Sequence, residues 1–259
     1  CDAAANGTIF AAYTDGSNHD RIIINSNGTL SWYAYTSGSY VGNKNTNRVF
    51  RDTNAWYNIV CQWNTTSGTA SERMRIWING EEETSFATDT NPGSSASSNF
   101  NNHNRQHVIG SAVGSLSGTA EYFNGVMSHV HFCDGTALAP TVFGSTDSTT
   151  GEWKINTAPS FTPGTNGFTI LKDGMTITDQ SANSNNFTLG GGTLTKTEDC
   201  PSNVFAIWNF LANDNGNYAL TNGNTSYSNA DNNWSHGGLA STIAIMPASG
   251  KYYWEHKKT

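Results

Sequence analysis

The sequence predicts an all-β protein, built as an antiparallel β-sandwich. Three observations carry that expectation. Apolar residues recur at every second position in short segments, the period of a half-buried strand. No segment longer than ten residues repeats with the 3.6-residue period of a helix. Short stretches rich in Gly and Asn separate the alternating segments, and Asn79-Gly80 is the strongest short-range hairpin signal among them.

The elements follow in order. Arg21–Asn25 (RIIIN) reads as a short buried strand. Thr29–Thr36 (TLSWYAYT) alternates Leu30, Trp32 and Ala34 with Ser31, Tyr33 and Tyr35, so one face turns inward and the other outward. Trp56–Trp63 (WYNIVCQW) is a second apolar strand. Arg73–Ile78 (RMRIWI) puts Met74, Ile76 and Ile78 on one face. The Asn79-Gly80 turn follows, and Glu81–Phe86 is expected to return as the partner strand. Thr88–Asn104 is a polar loop expected at the sandwich rim. Val130–Cys133 (VHFC) closes the apolar strands. Trp32, Trp56, Trp63 and Trp77 are expected to pack the sandwich.

Compositional breaks divide the chain. They fall at Gly144–Gly164, at Gly190–Gly192 and at Glu198–Pro201. The expected organisation is a sandwich over 1–150, a connector over 151–201, and a second, incomplete β region over 202–259.

Composition narrows the function. Charged residues make up 13% of the 259-residue chain, about half the usual share, so polarity comes from Asn, Ser, Thr and Gly. Aromatics at 12% exclude a disordered chain. A net charge of −7 without Lys/Arg runs argues against nucleic acid as a partner. No apolar run is long enough for a membrane-spanning helix, so membrane insertion is not expected. No basic segment followed by an apolar stretch marks a secretory leader. The chain opens at Cys1 rather than Met, which reads as processing or as a piece of something longer. The four cysteines, Cys1, Cys61, Cys133 and Cys200, form no C-x-x-C pair, and Cys61 and Cys133 read as core thiols. Six glycosylation sequons occur, near chance for so Asn- and Thr-rich a chain.

Trp56–Trp63, then Ile76–Gly80 (IWING), then Phe123–Asp134 (FNGVMSHVHFCD) stand in an order that resembles a concanavalin A-like, laminin-G-like jelly roll. The resemblance covers about residues 1–143. The opening strand usual in that family is missing ahead of Cys1, so the chain is expected to begin inside the domain. Val130–Gly135 (VHFCDG), Ala137–Gly144 (ALAPTVFG), Thr146–Trp153 (TDSTTGEW), Pro163–Phe168 (PGTNGF), Asp179–Phe187 (DQSANSNNF) and Asp199–Trp208 (DCPSNVFAIW) resemble a block that recurs in tailed-phage structural proteins. Ser241–Glu255 (STIAIMPASGKYYWE) resembles the first strand of a SPRY domain, which the remaining four residues cannot complete.

The resemblance directs attention to three chemistries. Hydrolases of this superfamily carry E-x-D-x-x-E on one strand, with paired carboxylates about 5–5.5 Å apart. That motif is absent here, and the consecutive Glu81, Glu82 and Glu83 must alternate faces, so no enzymatic activity is expected. His129 and His131 share a face, but no further metal ligand stands near them, and an exposed strand face is expected. Laminin-G-like domains carry Ca²⁺ at the rim, and Asp15, Asn18, Asp20 and Asn25 are the hard oxygen ligands that could supply such a site. For glycans, Tyr33, Tyr35 and Tyr40 are candidate stacking platforms beside the hydrogen-bonding Asn43, Asn45 and Asn47.

The resemblance implies a virion protein of a tailed phage: a fibre, appendage or surface decoration. Its expected partners are other virion subunits, itself as a homo-oligomer, and host surface glycans. A purely structural subunit, a secreted lectin and a glycoside hydrolase are the alternatives.

Overall fold

The computed structural model describes residues 6–52, 55–112, 121–172, 174–197 and 201, and beyond these four short strands. One sheet has six antiparallel strands: β1 (Gly7–Asp15), β2 (Asn18–Ile24), β3 (Thr29–Thr36), β4 (Ser39–Val49), β8 (Phe86–Thr90) and β9 (Gln106–Ile109). They run in the order β8-β4-β3-β2-β1-β9. A second sheet has three: β5 (Ile59–Trp63), β6 (Met74–Ile78) and β7 (Glu81–Glu82), in the order β5-β6-β7. The expected all-β sandwich is the observed fold.

Alternation decides which side chains face the core. Ile22 pairs with Trp32, and Ile24 with Leu30, so these four point to one side. Across from them lie Met74, Ile76 and Ile78 of β6, one face of the strand as its period requires. Leu30, Met74 and Ile76 are fully buried, and Trp32 is nearly so. Phe10 of β1, Phe50 just past the end of β4, and Phe100 from a short 3-10 helix (Asn99–Asn101) complete this part of the cluster.

Two expectations need correction. Glu81–Phe86 is not one return strand. The Asn79-Gly80 turn returns only Glu81 and Glu82, and the chain then crosses to the large sheet as β8. Trp77 does not point between the sheets. It pairs with Val60 and Glu82 on the outer face of β6, where the Arg75 guanidinium lies 4.7 Å from its ring centroid. It is buried there all the same, at 6% exposure.

The later segments supply β10 (Val130–Phe132), β11 (Gly144–Thr146), β12 (Trp153–Ile155) and β13 (Phe168–Ile170). β10 pairs with β13, and β11 with β12. Packing is continuous across residue 151. Phe168 and Ile170 belong to the same core cluster as Phe10 and Ile76. The Phe168 ring lies 6.0 Å from Phe10, 5.7 Å from Phe132 and 4.8 Å from Phe187. Trp153 reaches back to the first segment, and its Nε1 donates to Asn58 Oδ1 at 3.1 Å. Gly80 sits under that ring. Its φ is +78°, and a Cβ there would lie 2.1 Å from Trp153, so both the turn and the contact require glycine.

Beyond residue 201 the described strands are β14 (Trp208–Asn213), β15 (Tyr218–Thr221), β16 (Ser226–Asn229) and β17 (Leu239–Ser241). β14 pairs with β17, and β15 with β16. Cys1, Cys200 and, apart from Ser241, the segment that resembles a SPRY strand lie outside the described residues.

Candidate functional site

The outward face of the large sheet gathers the aromatic and amide candidates. On β3, Tyr33 and Tyr35 alternate with the buried Ala34, so they leave the core together. Tyr33 pairs with Asn43, and Ser31 with Asn45, which puts both amides on the same face. Tyr40 has the wrong parity for that face. A bulge corrects it: Ala34 pairs with Gly42, but Tyr35 pairs with Tyr40, leaving Val41 as the extra residue. The extra residue turns Tyr40 over Tyr35 and Tyr33, with ring centroids at 4.9 and 5.6 Å. Tyr40 is the open member of the cluster at 55% exposure. Asn47 lies at the far end of the strand, where its amide nitrogen donates to Ser85 Oγ at 3.0 Å.

His19 and Arg21 form the floor on β2, opposite Tyr35 and Tyr33. The His19 ring lies 5.0 Å from Tyr35 and 5.7 Å from Tyr33. Burial holds its pKa below the ordinary histidine range, opposed by its interaction with the Asp15 backbone. Arg21 is buried, donates to Thr8 Oγ1 at 2.8 Å and forms an ion pair with Glu121. Burial raises the Tyr33 phenol, which the Arg21 charge partly offsets. Three buried polar atoms of this face, His19 Nδ1, Arg21 Nε and Asn45 Oδ1, have no hydrogen-bond partner among the described residues. Sequence reasoning missed both His19 and Arg21. Their period-two spacing with Ile23 placed them on this face, but their polarity gave no hint of burial.

The four hard-oxygen candidates do not come together as one set. Asp15 and Asn18 share the β1–β2 hairpin, where Asn18 Nδ2 donates to Asp15 Oδ1 at 3.0 Å. Asp20 faces the other way, between Ala12 and Ala34, and is fully buried. It accepts from Ser98 Oγ at 2.6 Å, from Asn99 N at 2.6 Å and from Asn99 Nδ2 at 2.8 Å. Burial raises its pKa, and these donors pull it back. Asp20 thereby anchors the 3-10 turn that brings Phe100 into the core. Asn25 lies five residues further along the chain, about 17 Å away at strand rise. It donates to Thr29 Oγ1 and Ser31 Oγ. No group of three or more His, Cys, Asp or Glu side chains with metal-binding geometry occurs among the described residues.

The acids after the hairpin are engaged by arginines. Arg75 grips Glu82, with Nε donating at 2.7 Å. Arg48 Nε donates to Glu83 Oε2 at 2.6 Å, and Arg48 Nη2 lies 3.5 Å from Glu81 Oε2. The histidine pair is less exposed than expected. His131 packs against Phe143 and Phe161, each with centroids 5.7 Å away, and its Nδ1 lies 2.9 Å from Thr169 Oγ1. Burial pushes its pKa down to about 4. Covering Phe143 and Phe161 segments make the difference, and the β10 period alone could not reveal them. Cys61 and Cys133 are free thiols, and burial pushes Cys61 up to about 12.

The Asn-rich motifs of the later segments are structural. In PGTNGF, Asn166 N donates to Asp134 Oδ2 at 3.0 Å, and Asp134 N donates to Pro163 O at 2.8 Å. In DQSANSNNF, Asp179 accepts from the backbone N–H groups of Thr169, Ser181 and Asn185 at 2.8–2.9 Å. Asn183 and Asn185 donate to Gly167 O at 2.8 and 2.9 Å, and Phe187 packs on Phe168. These residues tie the two motifs together and clamp β13 into the core.

Fold and face together define a two-sheet β-sandwich with an aromatic and amide outer surface. Residues 2–143 match the Laminin_G_3 model, the Concanavalin A-like lectin/glucanases superfamily, and the chain belongs to that family. No curated protein and no solved structure matches the chain.

Proposed function

We propose that this chain is a carbohydrate-binding sandwich that acts without catalysis, as a structural component of a tailed-phage particle. It would present the Tyr33–Tyr35–Tyr40 face to glycans on the host surface. One observation carries the reading. A bulge in β4 turns Tyr40 outward over Tyr33 and Tyr35, on the same face as Asn43 and Asn45. Aromatic faces stack on the C–H faces of sugar rings, and amides bond their hydroxyls in both directions. Membership of a superfamily of lectins and glucanases supports a sugar ligand. Binding rather than hydrolysis is favoured because Glu82 and Glu83 are each bonded to an arginine, and Glu81 is exposed beside Arg48. The virion assignment rests on the order of the sequence blocks between Val130 and Trp208. Many copies on a particle would multiply weak binding by about 10²–10⁴ without a new contact.

A glycan microarray probed with the 259-residue chain and with Tyr40→Ser tests the binding face. Binding to defined glycans that is lost in Tyr40→Ser is expected. Tyr40 is more than half exposed, so the variant keeps the wild-type melting temperature. An array with no signal, or a signal that Tyr40→Ser leaves unchanged, overturns the reading and favours a contact between subunits. Adding the protein to host cells before the phage tests the particle role: adsorption should fall with dose, and unchanged adsorption counts against it.

A further inference from the structure

We infer that the ligand of the tyrosine face is an uncharged oligosaccharide, read by stacking and hydroxyl hydrogen bonds rather than by ion pairing. The inference rests on the glycan reading above and adds its chemical class. The charge on this face is already spent inside the protein. Arg21 is buried and paired with Glu121, itself largely covered. His19 is buried, and burial favours its neutral form. The neighbouring lysine, Lys44, points through the other side of the sheet, paired in register with Trp32 and bonded to Asp89 beneath. Ser31, Asn43 and Asn45 also lie on this face, with Thr88 and Thr90 on the adjoining strand β8 and Ile23 and Tyr13 toward β1, and all are uncharged. Asp15, at the hairpin beyond Tyr13, is the acidic group at the margin, and it accepts from Ser17 N and Asn18 Nδ2. The whole chain carries −7, so an anionic glycan would meet repulsion, and the described cations here already face acids: Arg21 is paired with Glu121, and Arg105 lies in the field of Asp15 at the margin.

The spacing favours a chain over a single sugar. Tyr40 stands in the row of Tyr35 and Asn45 in the row of Ser31, four residues apart along β3, about 13 Å at strand rise. One pyranose ring does not span it, while an oligosaccharide laid over Tyr40, Tyr33 and Asn43 does.

The test is affinity electrophoresis of the 259-residue chain in gels containing a neutral polysaccharide series (dextran, laminarin, galactomannan) or an anionic one (heparin, hyaluronate, polygalacturonate). Each is run at low and about tenfold higher salt. Retardation by a neutral polymer is expected, insensitive to salt and weakened about tenfold or more by Tyr40→Ser. Retardation only by anionic polymers, lost at high salt and lost in Tyr40→Ser, overturns this inference and leaves the glycan face standing. Retardation by none, or retardation that Tyr40→Ser does not change, overturns both.

Discussion

Phe168→Ala should destabilise the sandwich, although the residue lies well past the compositional break at Gly151. The side chain is 4% exposed and meets Phe10, Phe132 and Phe187 at 4.8–6.0 Å between centroids. Removing a buried phenylalanine ring costs about 3–5 kcal/mol, because transfer energy is lost and the cavity closes only partly. A whole domain has about 5–15 kcal/mol of stability. The variant therefore gives up about a fifth of the total or more. Urea unfolding followed by tryptophan fluorescence reads this directly, since Trp32, Trp63 and Trp77 all report on the sheets. The midpoint should fall with the slope of the main transition unchanged. Leu189→Ala, at a residue 52% exposed, is the control and should stay within about 0.5 kcal/mol. A loss below about 1 kcal/mol for Phe168→Ala would refute the reasoning. Residues 163–187 would then be an appendage to a sandwich that ends near Gly151.

Two further predictions concern the same body. His131 has a folded pKa of about 4 against 6.5 for the free side chain. Its contribution is therefore complete above pH 6.5 and is lost as pH falls through about 4, up to about 3 kcal/mol. Melting temperature against pH should fall in that window, and His131→Gln should flatten the fall; an unchanged profile sinks the assignment to His131. Gly80→Ala forces a Cβ into a residue at φ +78° and to within 2.1 Å of the Trp153 ring. The backbone strain is about 1–2 kcal/mol, and displacing Trp153 from Asn58 adds about 1 more. In Trp153→Ala the same substitution should cost only the backbone part; equal costs in both backgrounds would show that the ring does not press on Gly80.

Much of the architecture was legible because it rests on period and turn chemistry. The alternation in Thr29–Thr36 gives β3 to the residue. Asn79-Gly80 gives the β6–β7 turn, with Asn79 at φ 50° and Gly80 at φ +78°. The tyrosine face was legible for the same reason, apart from Tyr40, whose parity is wrong until the bulge at Val41 is known. Bulges leave no periodic signature, since one extra residue reads as noise in a short strand. The length of the return strand was also hidden. Glu81–Phe86 continues smoothly in sequence, but after Glu83 N donates to Ile76 O the chain leaves β6, and the Glu83 side chain reaches Arg48 on the other sheet, a pairing that is non-local.

The polar stretches were the least legible part, and they explain how so low a charge still specifies a fold. Asp20, Asp134 and Asp179 are scattered in sequence and carry no shared motif. Each nevertheless collects backbone and side-chain donors: Asp20 from the Ser98 hydroxyl, Asn99 and Phe100 and Asp134 from Asn101 and Asn166, all distant in sequence, and Asp179 from Thr169 and from its own loop at Ser181 and Asn185. A carboxylate accepts up to about four hydrogen bonds, and its charge strengthens each. A few such acceptors can therefore order long Asn- and Ser-rich connections that would otherwise read as linkers. Composition reports such a stretch as loop because it sees donors and no core. The fold uses it as a clamp because a carboxylate, distant for Asp20 and Asp134 and within the loop for Asp179, gathers the donors. Asp20 reads as a cation ligand in the sequence for the same reason. The carboxylate is there, buried, but its oxygens accept from the Ser98 hydroxyl, Asn99 N and Nδ2, and Phe100 N.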